Sequence, residues 1–152
     1  MGLRRSVWQA LGGFDELLGI GAPFKAAEET DFSIRALLAG YFVYETPDVS
    51  VVHCGFRARE HMQPVSRRYW YGTGAAFAKH LKCGRWSVAH PLLRLAWRWA
   101  FGRSPVAASL GGGAYKLPRL LAFVWGVVAG VLTPVDKPTG HYVKPAARPP
   151  IE

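Results

Sequence analysis

Cysteine is scarce in this chain, acid is nearly absent from its second half, and no apolar run of signal-peptide type follows its short basic start. Two cysteines, Cys54 and Cys83, stand among 152 residues. They are too few for a disulfide framework and form no C-x-x-C pair, which points to reduced thiols in a cytosolic setting and away from redox chemistry. With no h-region, a cleaved secretory signal is not expected. No D-x-D pair occurs anywhere, and no internal repeat is visible. What is present is apolar bulk: half of the residues are hydrophobic and 13% are aromatic. That composition excludes a disordered or collagen-like chain and fits one domain with a modest core.

The formal net charge is +9, but it is unevenly placed. Residues 1–60 hold eight acids and six bases, whereas the remainder holds thirteen bases and only Asp136 and Glu152. The split sets an acid-bearing front, suited to chemistry, against a basic and aromatic back that would seek an anionic surface.

Along the front, residues 5–11 read as a short helix stopped by Gly12-Gly13, since glycine supplies the left-handed conformation that ends a helix. A glycine-rich loop follows at 18–23. A helix is predicted over 28–39, with three acids in its first turn and Gly40 just past its end. Ile34, Leu37, Leu38 and Tyr41 give it a stripe expected to be buried. Tyr41-Phe42-Val43-Tyr44 and the run 49–53 read as strands around a Thr46-Pro47-Asp48 turn, an α/β signature.

Beyond Gly55 the pattern is helical, with helices expected over 65–81, from Pro91 to about residue 101, and from Pro118 onward. Residues 102–114 read as a linker, and the Pro-rich tail as extended or disordered. Residues 120–132 are uncharged and mostly apolar; extending the count to 117–135 gives nineteen, the lower edge of the ~20 a spanning helix needs. Upstream, Leu92-Leu93-Arg94-Leu95-Ala96-Trp97-Arg98-Trp99 has a composition suited to a bilayer interface. Together these favour membrane association, peripheral or single-span, at the cytoplasmic face.

Glu28-Glu29-Thr30-Asp31 gathers three carboxylates within four residues. Asp31 and Arg35 are i, i+4 neighbours placed to pair, which turns Glu28 and Glu29 elsewhere. A carboxylate held among like charges becomes a better base near neutrality, although acids at a helix start often have no chemical role.

The order of these pieces resembles a known family. Arg4-Arg5-Ser6-Val7-Trp8, Leu11-Gly12-Gly13-Phe14-Asp15-Glu16, Glu28-Glu29-Thr30-Asp31-Phe32-Ser33-Ile34-Arg35, Ala39-Gly40-Tyr41, Pro47 and Val51-Val52-His53 resemble the C-terminal half of family 2 glycosyltransferases of the GT-A fold, and a galactosyltransferase C-terminal domain. The resemblance covers residues 3–56. It implies an α/β, partial Rossmann-like catalytic domain over 1–60, its C-terminal half only, followed by a basic, aromatic, membrane-associated helical region over 61–135 and a tail over 136–152.

The resemblance also implies roles. Glu29 takes the position of the catalytic base in an inverting transfer, with Glu28 in reserve because this chain has Glu where Asp is commoner; Asp31 and Arg35 match a positioning acid and arginine. Gly12, Gly13, Phe14 and Asp15, with Trp8, match the acceptor side, and His53 a histidine that helps bind metal or diphosphate. A Mg or Mn ion is implied, with its main ligands in an N-terminal half that the chain does not contain; so are a nucleotide-sugar donor, a glycan or lipid-linked acceptor and a membrane surface. The chain is therefore expected to be a fragment or remnant of a hexosyltransferase, inactive alone and poorly soluble. His53-Cys54 and His80-x-x-Cys83 fit no familiar zinc spacing. The competing reading is a non-catalytic basic module for membrane or nucleic acid, since Arg67-Arg68-Tyr69-Trp70-Tyr71 interleaves cations with aromatics. The apolar run at 120–132 has no use in a nucleic-acid binder.

Overall fold

The computed structural model describes residues 2–44, 46–48, 52, 62–91, 93–94, 97 and 116–144. Helix α1 spans Arg5–Leu11 and ends where Gly12, at φ 72°, turns its N–H back to the carbonyls of Trp8 and Gln9. Helix α2 spans Glu28–Leu38, and Gly40 follows its end at φ 84°. Helix α3 runs over Met62–Lys82, with Pro64 in its first turn, where a missing N–H costs nothing. A single 3-10 turn covers Trp86–Val88. Helix α4 covers Lys116–Leu132 and leads into a hairpin in which β1 (Val135–Asp136) pairs antiparallel with β2 (His141–Tyr142).

Glycine and alanine bring α3 and α4 into close contact. A methyl group added at Gly74 would strike the Phe123 carbonyl, and one at Gly126 the Tyr71 carbonyl. Gly130 lies against Ala78 and Ala75 in the same way. Small residues let the two backbones approach closely, and Trp70 and Phe77 then set their rings against Phe123 at centroid separations of 6.0 and 5.9 Å. The core lies beside this pair. Leu17, Leu18, Phe24 and Ala27 from the front pack with Ala75, Ala76 and Tyr142 from the back.

Four expectations are overturned. The described residues are mostly helical and their one sheet has two short strands, so they do not form an α/β, Rossmann-like half-domain. Residues 41–44 are not a strand: Phe42 is 97% exposed and Tyr44 84%. A strand without a hydrogen-bonded neighbour gains nothing from being extended, and none is present beside this segment among the described residues. Most of the anticipated stripe on α2 is likewise turned outward, with Leu37, Leu38 and Tyr41 exposed and Ile34 half-buried, while Asp31, Phe32, Arg35 and Ala36 are buried. Lastly, the start of the Pro-rich tail is ordered, because Tyr142 buries its ring on Phe24 and donates its hydroxyl to the Ala75 carbonyl at 2.6 Å. The expected strand at 49–53, apart from Val52, and the linker at 102–114 lie outside the described residues.

Candidate functional site

The acids of the front divide into two groups. Asp15 and Asp31, from the G-G-F-D-E and E-E-T-D segments, face inward and are at most 1% exposed. Between them lies Lys79 of α3, also buried, its Nζ 2.6 Å from Asp15 Oδ2 and 2.7 Å from Asp31 Oδ1. His80 brings Nε2 to 3.1 Å from the same Asp31 oxygen, and Arg35 sets Nε at 2.9 Å from the other. Arg35 also donates to the carbonyls of Leu11 and Gly13, both at 2.6 Å, so one guanidinium ties α2 to the end of α1. Asp15 accepts from the backbone N–H of Leu17 at 3.0 Å and of Tyr142 at 2.8 Å.

Two carboxylates thus meet an arginine, a lysine and a histidine in a site closed to water. Burial by itself would raise the Asp31 pKa. The contact with His80 and the charges of Lys79 and Arg35 outweigh it and hold the carboxyl well below the usual carboxylate range. An acid kept ionised and enclosed by cations neither takes a proton from a substrate nor reaches one. Asp31, Asp15 and Arg35, placed by the sequence among catalytic and acceptor-binding residues, are here the centre of a structural network.

Glu28 and Glu29 are placed differently. They open α2 at the wall of a cleft of about 350 Å³, lined also by Lys25, Thr30, Arg68, Tyr69 and Thr73. Glu29 is exposed and Glu28 half-buried, the latter lying over Gly19, where an added methyl would come within 3.2 Å of its carboxyl carbon. The loop before α2 reaches this arrangement through two non-glycine residues in the left-handed region, Lys25 at φ 65° and Ala27 at φ 77°. Such backbone costs about 1–2 kcal/mol per residue and persists only where surrounding packing imposes it. Phe24 and Ala26, both buried, supply that packing, with Gly72 of α3 against their carbonyls.

The remaining expected residues are not at this cleft. Trp8, Phe14 and Phe32 form an aromatic triad with centroids 4.9–5.6 Å apart, and the Trp8 ring covers Gly13, leaving no room for a side chain there. Gly12 faces His141. His53 lies outside the described residues. Among the described residues no three His, Cys, Asp or Glu gather to hold a metal ion, so a divalent site does not fit them. Sequence reasoning missed Lys79 and His80 as partners of the front acids, and Arg68 and Tyr69 as cleft residues. The signal for the latter was the Arg67-Arg68-Tyr69 cluster, which reads as part of a basic, aromatic module for membrane or nucleic acid. Lys79-His80, following an Ala-rich stretch of α3, gave no sign of their distant partners.

Compared with known proteins, the chain matches no family model, no curated protein and no solved structure.

Proposed function

We propose that this chain carries the acceptor side of an inverting glycosyl transfer from a nucleotide sugar, with Glu29 as the general base. One observation carries the reading: of the three acids that open α2, Asp31 is locked among cations, whereas Glu29 is exposed and Glu28 half-buried at the wall of a cleft large enough for a sugar. The motif order across residues 3–56 supports the same assignment. In the reaction Glu29 takes the proton of the acceptor hydroxyl as its oxygen attacks the anomeric carbon, and the bond from that carbon to the diphosphate breaks on the opposite face. The proton stays on Glu29, and the nucleoside diphosphate leaves as an anion. Lys25 and Arg68 give the cleft positive charge for orienting anionic groups. The chain has no D-x-D pair and the described residues do not fit a divalent ion, so no step here is assigned to a metal.

The test is nucleoside diphosphate release by the native-length protein, purified from its own cell and offered UDP- and GDP-sugars with hydroxyl acceptors. Glu29→Gln is expected to lower turnover about 100-fold or more, the usual contribution of a general base. If Glu28→Gln alone abolishes turnover, the base is Glu28. No donor consumption, or full turnover by both variants, overturns the proposal.

A further inference from the structure

We infer that the outer face of α4 is a docking surface for an anionic phospholipid bilayer, on which the helix lies flat. One face of α4, with Phe123, Gly126 and Gly130, is packed on α3. The other presents Leu117, Leu121, Trp125, Val128 and Leu132 at helical spacing, 41–77% exposed, with no described element over them. A continuous apolar stripe of this kind on a helix also apolar inside is far from the usual solvent-facing surface.

The helix has 17 residues, about 26 Å at 1.5 Å per residue, and no described helix is long and apolar enough to cross a membrane. The remaining geometry for such a stripe in lipid is in the interfacial plane, with Trp125 at headgroup depth. Charge selects the occupant. The charges flanking the stripe are basic: Lys116 and Arg119 open the helix, Lys82 donates to the Val131 and Thr133 carbonyls at its end, and no Asp or Glu occurs from residue 61 to residue 135. A second copy would bring like-charged surfaces together, whereas anionic headgroups complement them. On α3, Arg68, Tyr69 and Thr73 line the cleft, while Trp70, Gly74 and Phe77 on the opposite face meet α4. Docking through α4 therefore leaves the cleft turned away from the lipid and open to soluble ligands.

The test is co-sedimentation of the full chain with vesicles of phosphatidylcholine containing one-third phosphatidylglycerol, against phosphatidylcholine alone. Binding to the anionic vesicles is expected, weakened by salt, and reduced tenfold or more by Leu121→Glu with Val128→Glu at unchanged helical circular dichroism. As a second readout that needs no charge insertion, the emission of Trp125, isolated by difference against Trp125→Phe, shifts to the blue on anionic vesicles. Three results overturn the inference: no binding to anionic vesicles, binding and emission indifferent to the stripe, or a lipid-free dimer that the double substitution converts to monomer.

Discussion

Asp31 and Glu29 are two residues apart on the first turn of α2, yet one is fully buried and the other faces water. Asp31 has its two oxygens within 3.1 Å of Arg35, Lys79 and His80. Glu29 stands at the wall of a cleft. The same helix start thus supplies a residue that holds the fold together and one free to meet a ligand. The difference arises from helical geometry: a step of two residues turns a side chain to the opposite face, and only one face of α2 meets α3 and the end of α1.

The largest effect expected from breaking this arrangement follows removal of Lys79. Lys79→Met keeps most of the volume but leaves Asp15 and Asp31 facing each other, buried, without the cation between them. Loss of one partner from a buried ion network costs about 3–5 kcal/mol, and urea denaturation should find a loss of that size. A loss under 1 kcal/mol would mean that water enters the network and that Asp31 is not sealed from solvent as the structure has it.

Acid gives a smaller perturbation of the same site. The carboxyl of Asp31 is held below its ordinary value of 3.8, so its contribution to stability is present above that value and is lost as pH falls below it. Between pH 5 and pH 3 the loss from this one group comes to about 1 kcal/mol. Asp31→Asn should flatten the pH dependence by that amount while lowering stability at pH 7. An unchanged slope would place the acid sensitivity elsewhere, with Asp15 the next group to substitute.

These effects explain how much was legible in advance. The bounds of α1 and α2, their glycine stops and the Asp31–Arg35 pair follow from local rules, because each depends on residues within one or two turns. The expected sheet failed for a long-range reason. Leu37, Leu38 and Tyr41 have the period of a buried stripe, but period does not say which face finds a partner, and the partner here is a lysine 48 residues further along from Asp31 and 64 from Asp15. Lys79 and His80 sit in a helix that reads as uniformly basic, so their role was hidden by the composition around them. The close approach of α3 and α4 was in principle visible in Gly126 and Gly130, four residues apart, and in Ala75 and Ala78 opposite. In the same run, however, hydrophobic length is the stronger signal and masks that spacing. The cleft depends on Lys25 and Ala27 in left-handed backbone, which no propensity favours.

The smallest expected effect is the most discriminating. Glu29→Gln replaces an exposed carboxylate by an amide of nearly the same shape, and no ion pair within the described residues holds that carboxylate. Its only favourable placement for folding is the first turn of α2, where the helix dipole favours negative charge by about 0.3–1 kcal/mol at low salt. Denaturation in 0.15 M salt should therefore place the variant within about 0.5 kcal/mol of the parent, since screening reduces that term. Set beside Lys79→Met, the result separates the two acids by role: one substitution destabilises the fold at residues outside the cleft, and the other alters the cleft without destabilising the fold. If Glu29→Gln instead cost 2 kcal/mol or more, Glu29 would be a second structural acid, and the assignment of the base would fall even if turnover also fell, because lost folding would account for it.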